Sequence, residues 1–152
     1  MMTFPSSGSA FPDMRHILKN DFSEIPPATE EVDRFLIEQG ASADVQYVAR
    51  LVIEELVTNI IKYGYDDNSA HDIQIEARLE DDKLVMEISD DGHPFDPWNA
   101  PAPDLSLPAD QRPIGGLGLH LVRNMSDSFA YERHDDKNIV TISKNLVSPS
   151  SG

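Results

Sequence analysis

The chain has no cysteine among its 152 residues. A disulfide framework, a thiolate metal site and a cysteine nucleophile are therefore excluded. Long apolar runs are missing as well: nothing approaches the roughly 20 consecutive apolar residues that a helix needs to cross a bilayer. The first twelve residues are rich in Ser, Gly and Pro and lack the positive charge and apolar stretch of a signal peptide. They read as a disordered tail, 1–12, on a cytoplasmic protein. Positive charge is scarce, with 12 Lys and Arg against 27 Asp and Glu and a formal charge of −15. Such a surface repels nucleic-acid backbones and anionic lipid, so neither is expected as a direct partner. The histidines (His16, His71, His93, His120, His134) show no paired metal-ligand spacing. What is present is enough apolar material, 39% of the residues, for one domain with its own core, 13–146, before a second short tail, 147–152.

Periodicity orders the chain. Arg15 to Phe22 reads as a strand, and Pro26-Pro27 then breaks the chain. Thr29 can cap a helix that carries Val32, Phe35 and Leu36 and stops at Gly40. A longer helix, about Ala43 to Tyr63, has a broad apolar face from Val45 to Ile61. Residues 73–79 and 84–88 alternate apolar and polar and form a hairpin around Asp81-Asp82. Six prolines fall between Pro94 and Pro113, a connection long enough to be a lid, a binding loop or a disordered segment. Gly115 to Met125 is a short helix, and two strands, Ser128–Glu132 and Ile139–Ser143, flank an Asp135-Asp136-Lys137 turn. The succession predicts an α+β fold: a two-layer sandwich of one mostly antiparallel mixed sheet with helices on one face.

Three short stretches carry the chemistry. Glu55 and Asn59 lie one turn apart on one face of the long helix. A carboxylate there can act as a general base, and an amide oxygen is a hard ligand for Mg²⁺. Asp90 ends a strand and can accept the amino group of adenine, while Gly92 lets backbone approach the ring. Gly115, Gly116 and Gly118 open a helix whose exposed N–H groups can converge on phosphate oxygens. Each stretch also has a plainer account alone: a solvent-edge acid with a locally bonded amide, an ordinary Asp-Asp-Gly turn, a flexible helix start.

Taken in order, with a long loop between the last two, these stretches resemble the N, G1 and G2 boxes of the GHKL ATPase superfamily, which adopts a Bergerat-type fold. The segments Asp90-Asp91-Gly92-His93-Pro94-Phe95-Asp96-Pro97 and Gly115-Gly116-Leu117-Gly118-Leu119 resemble most the small RsbW-like anti-sigma-factor serine/threonine kinases. The likeness runs from about Arg15 to Lys144. It implies Glu55 as general base, Asn59 as Mg²⁺ ligand, Asp90 and Gly92 at the adenine, and Gly115, Gly116 and Gly118 at the phosphates. It also implies an ATP lid at about 97–113, and it matches Thr141 to a threonine near the adenine-binding aspartate. Pro94 replaces the second glycine of the wider superfamily, as in many RsbW-like members, and Tyr63 stands where relatives often have His. Arg34 is a candidate for a partner-contacting basic residue. The implied function is an ATP- and Mg²⁺-dependent serine/threonine kinase, a homodimer, that phosphorylates a small antagonist protein and sequesters a sigma factor or other regulator. The alternatives are a non-catalytic ATP-dependent binding module of the same fold and a detached histidine-kinase-type ATPase domain.

Overall fold

Among the described residues, five strands and three α-helices follow in the order β1 (Met14–Lys19), α1 (Ile25–Glu38), α2 (Ala43–Tyr63), β2 (Asp72–Glu80), β3 (Lys83–Asp90), α3 (Gly116–Met125), β4 (Ser128–His134) and β5 (Lys137–Asn145). The coordinates are a computed structural model that describes residues 12–99, 106, 108 and 116–146. Both expected tails, apart from Pro12, most of the expected lid, and Gly115 lie outside the described residues.

Two β-hairpins and the long α3 connection set the strand order, β1-β2-β3-β5-β4, and every pair is antiparallel. The α+β class is as expected; no parallel pair occurs among the described strands. Both hairpins turn on two aspartates in the left-handed region, Asp81 and Asp82 (φ 51° and 61°) and Asp135 and Asp136 (φ 51° and 61°). That mirror-image turn matches the twist of the flanking strands, and aspartate tolerates it better than most side chains. Because β5 returns between β3 and β4, Asp90 faces Asn138 in the register, and Asn138 faces Arg133. This row across three strands is the most consequential result of the topology.

All three helices pack on one face of the sheet. Leu18, Ile73, Ile75, Leu84, Met86, Ile88, Val140 and Ile142 from the strands meet Val32 and Leu36 of α1, Val52, Ile53 and Val57 of α2, and Leu119 and Val122 of α3. Each fully buried aliphatic side chain contributes about 1.5–3 kcal/mol, so this layer is the main source of stability.

The N-terminal segment differs from the sequence reading. The first strand stops at Lys19, and Phe22–Glu24 is a 3₁₀ turn capped by Asp21, whose side chain accepts the Ser23 N–H at 2.9 Å. The prolines do not break the chain: they occupy the first turn of α1, where a missing N–H costs nothing. Thr29 accordingly lies inside the helix, its hydroxyl donating to the Ile25 carbonyl at 3.0 Å. Gly40, at φ 77°, ends α1 in the left-handed conformation that glycine adopts without strain.

Candidate functional site

Helix α2 builds one wall of the site. Its buried stripe through Leu56 and Val57 seats the helix on the sheet and leaves Asn59, Ile60 and Tyr63 along a cavity of about 240 Å³. The Asn59 amide nitrogen donates to the Glu55 carbonyl at 2.6 Å. That bond uses the nitrogen on the helix and leaves the side-chain oxygen as the atom able to hold a hard cation. Among the described residues no cluster of three or more His, Asp or Glu could cage a metal. A cation here would need oxygens from a ligand and water as well, the usual habit of Mg²⁺.

One turn back, Glu55 is half-buried where α2 meets α3. A Cβ placed on Gly118 would fall on the Glu55 carboxylate, so the acid lies over a residue that has no side chain to displace it. Burial pushes the Glu55 carboxyl above its ordinary pKa of 4.5; the charge of Glu54 adds to the shift and Lys62 opposes it. A carboxylate raised in this way is a stronger base.

Strands β3 and β5 build the opposite wall. Asp90 is only 4% exposed and lines the cavity with His93, Pro94, Phe95, Asn138 and Val140. Its Oδ1 accepts from the Gly92 N–H at 2.8 Å and from the Asn138 amide at 3.0 Å. Burial raises the Asp90 pKa and Asp91 adds to it, while the Asn138 and Gly92 donors and the Arg133 charge pull it down. Both donors reach the same oxygen, so the other oxygen of this buried carboxylate remains an acceptor for whatever occupies the cavity.

Three fasteners hold the loop after Asp90. A Cβ on Gly92 would come 2.6 Å from the Gly64 carbonyl, so only glycine permits this approach to the end of α2. The His93 N–H donates to that carbonyl at 2.9 Å, and Arg133 reaches across the sheet to donate to the Gly92 carbonyl at 2.7 Å. His71 adds a third. Its Nε2 lies 2.8 Å from Asp67 and its Nδ1 3.2 Å from Asp91, and its ring stacks on Tyr65 with centroids 4.1 Å apart.

The His71 clasp makes stability depend on pH. Its hydrogen bond to Asp67 raises the His71 pKa above 6.5, with desolvation opposing and Asp91 reinforcing, and the same bond lowers Asp67 below 3.8. The histidine contribution is complete below pH 6.5 and fades as pH rises through the raised value. The Asp67 contribution is present above 3.8 and fades as pH falls through the lowered value. In thermal melts, wild type should exceed His71→Gln most at about pH 5.5 and least at about pH 9. A pH-independent difference would contradict the clasp.

The near end of the expected lid is ordered structure. Pro97–Asn99 forms a 3₁₀ turn with Pro97 and Trp98 buried. The Trp98 indole N–H donates to the Ala130 carbonyl at 2.7 Å, and Arg123 donates to the Trp98 carbonyl at 3.1 Å. Phe129 completes the anchor, 5.1 Å from the Trp98 ring and 5.4 Å beneath the Arg123 guanidinium.

Of the residues singled out in the sequence, Asn59 and Asp90 share the cavity, Gly92 abuts its rim, and Glu55 meets Gly118 between α2 and α3. Gly116 opens α3, and Gly115 lies outside the described residues. Thr141 is not beside Asp90. It pairs with Glu87, an odd number of positions from Asn138, so it stands on the face of the sheet turned away from the helices. Asn138 occupies the place expected of Thr141. Its sequence signal was available: alternation puts a polar residue on the same face as Val140 and Ile142, and it is 3% exposed. The roles of Tyr131 and Arg133 had no such signal, because they arise from β4 pairing beyond β5.

A buried acceptor carboxylate and an amide on one cavity, with an acid one helical turn away against a glycine-led helix, could together hold a nucleotide, and comparison with known proteins agrees. The family described as histidine kinase-like ATPase domain matches residues 18–144. The chain belongs to this GHKL-type, ATP-binding family. Among relatives, it is 27% identical over 109 residues to the serine/threonine-protein kinase BtrW of Bordetella bronchiseptica, covering 72% of this chain and 77% of that one. It is 30% identical over 99 residues to the serine-protein kinase RsbW of Bacillus cereus, covering 62% of this chain and 61% of the relative. The match therefore spans about three-fifths of RsbW. In fold, the RsbU and RsbW domains of a Mycobacterium tuberculosis protein superimpose with a TM-score of 0.64 at 16% identity, covering 91% of this chain and 34% of that one. The two named relatives are protein kinases, and the structural neighbour shares the fold.

Proposed function

We propose that this chain is a serine/threonine protein kinase that phosphorylates a small antagonist protein in a cytoplasmic partner switch, and that it sequesters a sigma factor or other regulator as a homodimer. The observation that carries the reading is the arrangement along α2: Asn59 on the cavity shared with Asp90, and Glu55 one turn away against the glycine-led start of α3. The names of the kinase relatives support the acceptor class.

In this reading the adenine lies against Asp90 and Gly92, and the phosphates reach towards Gly115, Gly116 and Gly118. Bound Mg²⁺ would be held by the Asn59 oxygen and would neutralise phosphate charge. Glu55 takes the proton from the substrate hydroxyl. The hydroxyl oxygen then bonds to the γ-phosphorus as the bond to the β-phosphate oxygen breaks, and ADP leaves. The −15 charge of the chain explains why the phosphates must be met by backbone N–H groups and a cation instead of a basic patch.

The test follows γ-labelled phosphate from ATP–Mg²⁺ into the antagonist protein purified from the native cell. Phosphoserine or phosphothreonine in that protein supports the kinase. Binding of ATP with no phosphoprotein would leave a non-catalytic binding module, and release of free phosphate alone would leave an ATPase.

A further inference from the structure

The hydrogen-bond pattern around Asn138 fixes more than a fold contact. Its Oδ1 accepts from the Tyr131 hydroxyl at 2.6 Å and from the Phe95 N–H at 3.3 Å. Its amide nitrogen donates to the His93 carbonyl at 2.7 Å and to Asp90 Oδ1 at 3.0 Å. The Phe95 N–H can only donate and the His93 carbonyl can only accept, so the amide cannot be turned over. Its N–H edge must face Asp90. Every polar position of a residue 3% exposed is thereby used, and none is left for a ligand.

We propose that Tyr131 and Asn138 are positioning residues that set the base selectivity of the site. They lock Asp90 with one oxygen committed to protein donors and the other presented as a fixed acceptor, which favours 6-aminopurine over 6-oxopurine nucleotides. This rests on the reading of the cavity as the ATP site. A fixed acceptor pairs with an exocyclic amino group and opposes a carbonyl oxygen, and a site with a buried polar group left opposed discriminates strongly. Without the Asn138 donor, Asp90 Oδ1 keeps only the Gly92 N–H; one hydrogen bond holds the carboxyl less firmly than two, and the edge facing the cavity loses part of its fixed character. Tyr131 acts one step further back, holding the oxygen of Asn138 so that its nitrogen stays on Asp90.

Calorimetric titration of the full chain with ATP and with inosine triphosphate, each with Mg²⁺, tests the assignment. Wild type should favour ATP by at least about 30-fold. Asn138→Val, which keeps a strand-forming shape but has no donor, should shrink that preference about 10-fold. Asn138→Thr restores a donor and should stay within about 3-fold of wild type, while Tyr131→Phe should lose about 3-fold. If Asn138→Val does not fold, Tyr131→Phe carries the test. Equal weakening of both nucleotides in the variants, or an unchanged preference, would overturn the assignment and leave a structural role. Wild-type protein that binds neither nucleotide would overturn the ATP reading itself, and this inference with it.

Discussion

Glu55→Gln is expected to lower phosphoryl transfer about 10²- to 10⁴-fold while ATP affinity stays within about 3-fold. Glutamine has nearly the shape of glutamate, so it can fill the same half-buried place over Gly118. What it cannot do is accept the proton of the attacking hydroxyl. Single-turnover transfer measured beside calorimetric ATP binding separates the two effects, and equal loss of both would assign Glu55 to structure. Gly118→Ala should reach the same catalytic loss by another route, since its Cβ claims the position of the carboxylate and must expel it. Wild-type transfer should also fall with acidity. As the proposed base, Glu55 would act only when ionised, and burial raises its pKa above 4.5, so the rate should drop at a pH above that of an exposed glutamate.

The sequence revealed the elements better than their arrangement in the sheet. Helix α2 was legible from Ala43 to Tyr63 because its apolar face repeats over many turns and Gly64 follows it. The hairpin of β2 and β3 was equally plain from strict alternation. The start of α1 was hidden because Pro26 and Pro27 read as breakers, although a helix's first turn is where proline fits best. The site divided along similar lines. Residues whose role comes from local spacing, Glu55 with Asn59 and Asp90 with Gly92, could be picked out before any strand order was known. Alternation along β5 marked Asn138 as a polar residue on the helix-facing side, but its pairing with Asp90 required the return of β5 beside β3, and Arg133 required β4 outside it, an arrangement that is not local. Trp98 sat in view within a proline-rich stretch, but only the packing against Phe129 and the bond to Ala130 make it an anchor.

Asp90→Asn should weaken ATP binding about 10- to 100-fold and barely change thermal stability without nucleotide. The asymmetry follows from what the two residues offer. In wild type the Gly92 N–H and the Asn138 amide both point at Oδ1. An amide introduced at position 90 can satisfy both with its own oxygen, so the protein loses no internal acceptor. Its nitrogen then takes the place of the second carboxylate oxygen and faces the cavity as a donor. An adenine amino group would meet a donor where it met an acceptor, and the lost charge-assisted bond alone is worth about 1.5–3 kcal/mol, or about 10- to 100-fold in affinity. Asp90→Ala differs in kind: it removes the acceptor of both donors, leaves the Gly92 N–H and one Asn138 N–H unpaired in a buried place, and should lower the melting temperature as well. Melting curves without nucleotide and titrations with ATP–Mg²⁺ read the two quantities separately. ATP affinity in Asp90→Asn within about 3-fold of wild type would show that this carboxylate is not the group that meets the base.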